Sequence, residues 1–407
     1  MKGLFRHERL ALTDTLAKLY QNLTKKEKGK ELKKFIAITD YNRTYASHLL
    51  SSWGKVTLVR IDGKLVRLKA GGELKKGISR PPYYGVEVDV VLKCVWEIYD
   101  YPCGKRLKAV LIRDLELVEM FQEITLTEET KRKLEHISAA TIDRHLEKER
   151  KKYKIKGRSH TNPGSLLKWQ VPVRTFADWN EQRPGFFEID LVGHDGGNPK
   201  GDFCFTLMIT DVCTGWSEPR AVKNRAQKWT FEALKYVRRI CPIVFLGIDC
   251  DNDSTFINEH LIRYCNNERI QFTRSRPYRK NDNCFVEQKN NVIVRRTAEY
   301  FRYDTEEQLR KLNEMYEAVR LYVNFFQPSA KLIEKLRVGS KVKRSYDEPL
   351  TPYERLIAHP STPPEVKERL ERQFRTLNPA ALKRKIDKCK DELTRMVHEK
   401  AQMRLHF

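Results

Sequence analysis

No run of eighteen apolar residues occurs anywhere in this 407-residue chain, so no membrane-spanning helix is expected. The opening stretch, MKGLFRHERLALTDTLAKLY, has no apolar core and carries acids, which is unlike an export signal. The nine cysteines are scattered, odd in number and include no CxxC pair. That spacing argues against a disulfide frame and a zinc knuckle, and for reduced thiols in a cytoplasm. The ten histidines do not cluster as ligands, and no His-x₃₋₅-His precedes a Cys-x-x-Cys, so no zinc-binding N-terminal domain is expected. Internal repeats and low-complexity tracts are also missing. Acid is scarce relative to base: 54 Asp and Glu stand against 78 Lys and Arg, a net charge of +24.

The basic excess is uneven. It is +15 over residues 1–170, +2 over 171–300 and +7 over 301–407, which together make the +24 of the whole. A basic front and tail around a nearly neutral middle suit a polyanion such as nucleic acid. Within the front, TKKEKGKELKKFIAITDYNRTYASHLLSSWG reads as a helix, a tight turn at TDYN and a second short helix. That is helix-turn-helix geometry, with Arg43, Thr44, Tyr45 and His48 at the front of the recognition helix. Residues 61–83 read as a loop or small hairpin. Two amphipathic helices broken at DYPCG follow. A second helix-turn-helix candidate then turns near Ser138, which can cap its second helix, so that Thr141, Arg144 and His145 are expected to face outward. Residues 156–172, KGRSHTNPGSLLKWQVP, look like a linker.

From Gly185 to about residue 302 the pattern becomes α/β. GFFEIDLVGH reads as a strand, and FCFTLMITDVCTGWSEPRAV as two more around a CTG turn. RAQKWTFEALKYVRRI is an amphipathic helix, IVFLGIDC a short buried strand, STFINEHLIRYCNNER a helix and IQFTRS a strand. NCFVEQKNNVIVRRTAEYFR is a helix. This order makes a mixed sheet flanked by helices. Beyond it, TEEQLRKLNEMYEAVRLYVNFFQP continues helical, LRVGSKVKRSYDEPLTPYERLI reads as short and irregular, and the tail is helical with a stripe of Leu382, Ile386, Leu393 and Val397. The expected architecture is multidomain α+β. It has a helix-turn-helix region at 1–60, a second helical region with a basic linker at 84–160, an α/β mixed-sheet core at 175–325 and a basic, mostly helical region at 326–407.

The stretch IVFLGIDCDNDSTFIN crowds Asp249, Asp251 and Asp253 into five positions at the end of a buried strand. Carboxylates there point into the cleft where α/β sheets bind ligands, and a hard divalent cation relieves their repulsion. Two further acids are placed to join them: Asp190 in EIDLV and Glu287 in the first turn of NCFVEQKN. Thirty-five residues lie between Asp251 and Glu287. Asp249 is a rival for the second position, but it lacks the Asn252 and Phe256 that follow Asp251. It is expected to serve as a nearby charge or to sit on the other face of the sheet. Asp195 and Asp211 read as turn residues, and Cys250 and Cys284 as thiols packing near the strand end.

With EIDLV, DNDSTFIN and RPYRKNDNCFVEQKN, including the Glu287-x-x-Asn290 pair, the region resembles the catalytic core of DDE transposases and retroviral-type integrases. With GWSE, FTRSRPY and YVNFFQPSAKL added, the chain is similar to bacterial insertion-sequence transposases of the integrase-core type. The resemblance implies an RNase H-like core with Asp190, Asp251 and Glu287 as catalytic and metal-holding residues. It also implies two Mg²⁺ or Mn²⁺ ions per site, about 3.5–4 Å apart, for in-line phosphoryl transfer. The substrate would be double-stranded DNA, cut at its 3′ ends and joined to a target. A homo-oligomer is expected on DNA, in a bacterial cytoplasm and associated with the nucleoid. Lys289, Asn290 and Arg295 on the Glu287 helix, and Arg274, Arg276, Arg279 and Lys280 before it, are expected to meet the substrate. One departure stands out: Asp253 occupies the family's Gly position, where a turn favours positive φ. It leaves open a catalytically impaired remnant or a DNA-binding regulator. A nuclease that cuts without joining is a further alternative.

Overall fold

A computed structural model describes residues 5–61, 64–69, 83–152, 173–174, 183–251, 255–275, 284–338 and 341–405. The chain divides into two compact units, Met1–Tyr83 and Tyr84–Phe407. Among the described residues no helix is long and apolar enough to cross a membrane.

In the first unit, α1 (Arg6–Tyr20), α2 (Lys25–Thr39) and α3 (Arg43–Ser52) close around Ala17, Leu32, Phe35, Ala46 and Leu50. The turn between α2 and α3 is made by Asp40 in the left-handed region (φ 59°) and by Asn42, whose side chain accepts the Tyr45 N–H at 2.7 Å. Arg43, Thr44, Tyr45 and His48 are exposed on α3. An antiparallel hairpin, β1 (Val56–Ile61) with β2 (Lys64–Lys69), ends the described part of this unit.

The second unit opens with α4 (Val86–Ile98), α5 (Gly104–Met120), α6 (Glu128–His136), α7 (Ala139–His145) and α8 (Glu147–Lys152). Ser138 caps α7 as expected, accepting the Thr141 N–H at 3.1 Å. Thr141 itself is buried, which corrects the outward placement. Its hydroxyl lies 2.9 Å from the Ser138 hydroxyl and accepts from the exposed Arg144. His145 pairs with Asp89 of α4. The face of α7 that carries Thr141 packs against α5.

The sheet is mixed and six-stranded. Its strands are β3 (Val173–Arg174), β4 (Phe186–Gly193), β5 (Phe205–Asp211), β6 (Ser217–Val222), β7 (Gly247–Cys250) and β8 (Gln271–Ser275), in the spatial order β3-β8-β7-β4-β5-β6. β4, β5 and β6 pair antiparallel, while β4 with β7, β7 with β8 and β8 with β3 pair parallel. The expected three strands followed by two, with helices between, are therefore present, and the arrangement is compatible with an RNase H-like core. α9 (Gln227–Ile240) and α10 (Glu259–Asn267) supply the crossovers that parallel pairs require.

The helix expected over 283–302 is not one regular piece in its described part, 284–302. α11 (Cys284–Lys289) gives way to a π-helical turn at Asn290–Arg295. The long α12 (Glu306–Phe326) follows. The segment expected to be irregular is an antiparallel hairpin, β9 (Leu332–Val338) with β10 (Lys341–Tyr346). Frequent Lys and Arg had masked its period of two. α13 (Pro352–Ala358), α14 (Pro364–Thr376) and α15 (Pro379–Leu405) complete the unit. One hydrophobic core runs from Val88 on α4 through the sheet and α12 to Leu393 on α15. Polar links tie the same pieces together: the Tyr322 hydroxyl donates to Ile98 O at 2.7 Å, and Arg113 bonds Glu354 at 2.6 Å.

Candidate active site

Side chains of a strand alternate between faces. On β4, Phe187 and Ile189 take one face, and Ile189 lines a small cavity with Leu234 of α9 and Leu261 of α10. Glu188 and Asp190 take the other. The parallel register pairs Glu188 with Asp249, so Asp249 lies on the face of Asp190 and not on the opposite one. Across this face runs a buried polar row of Thr210, Glu188, Asp249 and Thr273, neighbours in register on β5, β4, β7 and β8. The Thr273 hydroxyl donates to Asp249. Two residues further on stand Asp190 in β4 and Asp251 just past the end of β7, a second rung roughly 6–7 Å beyond the first at the strand rise of ~3.3 Å.

Glu188 was not singled out from the sequence, although its spacing from Asp190 was the available signal. It is fully buried, and its Oε2 accepts the Val286 N–H at 2.9 Å. That bond fixes the first turn of α11 to β4, and Glu287 is the next residue. Asp190 is partly buried. Its Oδ1 accepts the Leu191 N–H at 2.8 Å, and its Oδ2 accepts from the Asn290 amide. The π-helical turn begins at Asn290, and such turns are frequent at functional sites.

Burial pushes the Asp190 carboxyl up to about 7. The negative charge of Asp251 adds to that rise and the charge of Glu287 contributes less, against the bonds from Leu191 and Asn290. Three elements, β4, the end of β7 and α11, thus bring their acids into electrostatic reach of one another. Asp251 is half-buried and Glu287 exposed. Among the described residues no three His, Cys, Asp or Glu side chains form a ready-made metal cluster. The donor set nevertheless fits a hard divalent ion. Its members are oxygens, their like charges repel, and Asn290 Oδ1 is buried beside Asp190 without a hydrogen-bond partner.

The other expected residues fall in several places. Asn252 and Asp253 lie outside the described residues, as do Arg276, Arg279, Lys280 and the linker at 156–172. Arg274, expected against the substrate, sits instead in β8 and is buried. Arg295 is turned to the protein backbone, donating to Gly193 O at 3.0 Å and Glu299 O at 3.4 Å, which corrects its expected place against substrate. Asp195 accepts from Gly197 N–H, and Asp211 from Gly185 N–H and Thr214, so both are turn residues. Cys250 is buried with its thiol toward Thr273 O. Cys94, Cys103, Cys204, Cys241, Cys265 and Cys389 are free thiols. Lys289 is partly buried, and the positive charges of Arg106, Lys331 and Arg355 act on it together with burial.

Fold and site define a mixed α/β protein whose central strands carry two rungs of carboxylates beneath a helix bearing another. The chain is 36% identical over 354 residues to "Uncharacterized protein y4rM" of Sinorhizobium fredii (strain NBRC 101917 / NGR234), a match covering 85% of this chain and 94% of that protein. It belongs to the same family as y4rM. No protein-family model matches it. In structure it is similar to the HTLV-2 integrase catalytic core domain in complex with magnesium (dimeric form), at 14% identity over 36% of this chain and 89% of that one, TM-score 0.28. It is similar in the same degree to the catalytic core domain of BIV integrase, at 14% identity over 42% and 91%, TM-score 0.28. Likenesses that slight leave function to be read from this chain's own residues.

Proposed function

We propose that the chain is a DNA transposase that cuts the 3′ ends of a mobile element and joins them to target DNA, with Asp190, Asp251 and Glu287 as its catalytic acids. The carrying observation is the state of Asp190: a carboxyl raised to about 7 by burial and by two acids delivered from separate elements. Structural acids are normally paired with cations or hydrogen-bonded to donors. Asp190 accepts bonds from Leu191 and Asn290, yet burial and the charges of Asp251 and Glu287 still oppose its ionisation, and perturbed groups of that kind gather at functional sites.

Asp190, Asp251 and Glu287 would hold Mg²⁺ or Mn²⁺, which when bound neutralises charge at a phosphate and activates an attacking oxygen. Asn290 keeps the Asp190 carboxylate oriented, and Glu188 holds the turn that presents Glu287. Exposed Arg43, Thr44, Tyr45 and His48 on α3 fit contacts to element ends, and exposed Arg144 in the last turn of α7 is also available. With the terminal ends of one element handled together, the working form would be at least a dimer on DNA. A DNA-binding regulator without chemistry would have no use for two rungs of carboxylates converging under α11.

The test is nicking and strand transfer on labelled duplex ends, with and without Mg²⁺. Wild type should do both, whereas Asp190→Asn and Glu287→Gln should lose at least a hundredfold in rate. Equal activity in all three proteins overturns the assignment. Nicking without joining would favour the nuclease alternative.

A further inference from the structure

A two-stranded ribbon is marginally stable in water, because no third strand or helix covers either of its faces. β9 and β10 form such a ribbon, a sheet of two strands. Leu332, Ile333, Glu334 and Leu336 of β9 are exposed, and so are Lys343, Arg344, Ser345 and Tyr346 of β10. Consecutive strand residues point to opposite faces, so both faces of the ribbon meet solvent. Ile333 is 68% exposed and Leu336 50%. Apolar groups left together in water in this way mark a surface that meets a partner.

The root of the ribbon, by contrast, is fixed. Ser329 and Leu350 exchange backbone bonds at 2.9 and 3.3 Å. The Asp347 N–H donates to Lys331 O at 2.9 Å, and Asp347 Oδ1 accepts the Lys331 N–H at 2.5 Å. Arg355 of α13 donates to Asp347 at 2.6 Å and to Ser329 O at 2.9 Å. The Lys331 ammonium donates to Val212 O at 2.7 Å and to Cys213 O in the β5–β6 turn. The core therefore grips both ends of the ribbon and leaves the side chains named above uncovered.

Charge says what the partner is. Residues 332–346 contain Lys335, Arg337, Lys341, Lys343 and Arg344 against a single acid, Glu334, a net +4. Register sets Lys343 opposite Leu336 and Arg344 opposite Lys335. The ribbon of a second copy would bring +4 against +4, and Lys and Arg on an open edge discourage pairing with another strand. A polyanion meets no such repulsion. Duplex DNA also has the right shape. Its major groove, about 12 Å wide, admits a two-stranded ribbon, and offers thymine methyls for apolar contact and phosphates along both rims. The six residues of β10 cover about 20 Å at ~3.3 Å each, close to six base-pair steps of ~3.4 Å.

We propose that β9–β10 is a docking ribbon for the major groove of duplex DNA, with Lys343 and Arg344 on backbone phosphates. The proposal rests on the transposase reading above and deepens it. It adds a DNA contact that follows the α/β core in the chain, beyond those of α3.

The full chain is compared as wild type, as a Lys343→Gln/Arg344→Gln variant and as a charge-keeping Lys343→Arg/Arg344→Lys variant. The probe is a labelled duplex of the DNA flanking the reading frame, titrated across a KCl series. Losing two phosphate contacts should lower the slope of log affinity against log salt by about 1.8, at ~0.9 each, and weaken binding roughly tenfold or more. The charge-keeping variant should bind as wild type does. A second duplex of the same sequence carries glucosylated hydroxymethylcytosine, whose sugars fill the major groove. Wild type should bind it more weakly than the plain duplex, and the Gln variant should discriminate less. Unchanged affinity and slope in the Gln variant would overturn the proposal, as would undiminished discrimination. If that variant loses only self-association, measured by light scattering, the ribbon joins copies of the chain and the proposal also falls. Failure of the parent reading is distinct. Should wild type bind through the ribbon yet neither nick nor join DNA with Mg²⁺, the transposase reading fails and the ribbon stands. Should wild type nick while the Gln variant binds equally well, the ribbon fails and the transposase reading stands.

Discussion

His194 illustrates what single positions contribute. The imidazole is fully buried, its Nε2 lies 2.7 Å from the Thr206 hydroxyl, and Nδ1 has no partner. Burial, then the charge of Arg295, lowers its pKa to about 3. The unfolded chain takes a proton on this ring below about 6.5, whereas the folded chain does not until about 3. The ring's contribution is thus complete above pH 6.5 and is lost as pH falls through that window, at up to about 1.4 kcal/mol per pH unit. Urea unfolding of wild type and His194→Gln between pH 4 and 7 should show that slope in their difference; parallel curves would refute it. At Asp190 the expectation concerns metal: millimolar Mg²⁺ should raise the melting temperature of wild type by several degrees and leave Asp190→Asn unmoved. A shift of equal size in both would place the ion elsewhere.

At the scale of elements, β6 and α12 are joined by a buried pair. Arg320 clasps Glu218 through Nε at 2.6 Å and Nη2 at 3.0 Å, and Trp216 Nε1 donates to the same carboxylate at 2.7 Å. Glu218 is 1% exposed. Arg320→Met would strand a buried carboxylate and should cost about 3–5 kcal/mol in denaturant unfolding, with much of it restored in the Glu218→Leu/Arg320→Met double variant. In the first unit, Asn42→Ala should cost about 1 kcal/mol through loss of the α3 cap. A neutral result would show that the Tyr41–Tyr45 edge contact, at 5.0 Å between ring centres, holds the turn by itself.

Elements also divide what could be read in advance. Strands β4 to β8 were legible because apolar runs bounded by turns announce themselves, and Ser138 was legible as a cap; the two-residue β3 is too short to show a period. The β9–β10 hairpin was not, because Lys and Arg interrupt its alternation. The π-helical turn at Asn290 was not either, since its residues keep an ordinary helical pattern. Thr141 was misplaced because helical spacing tells which residues share a face but not which face meets α5.

At the scale of the whole molecule, a net charge of +24 would make the proposed DNA affinity a function of salt. Binding should fall linearly in log–log form, by roughly a thousandfold between 50 and 200 mM KCl if six or more phosphates are met. A flat salt response would argue that the charge serves solubility alone.

The order of strands and helices, the basic excess and the spacing of Asp190, Asp251 and Glu287 follow from the chain as written, because periodicity and charge are local properties that survive without a fold. Folding alone set the burial of Asp190, the placing of Glu188 under α11, and the fastening of the β9–β10 ribbon at its root. Those depend on which faces of β4, β7 and α11 look at one another, and on Lys331 reaching Val212, 119 positions earlier in the chain. Separation along a chain says nothing about distance in a packed core.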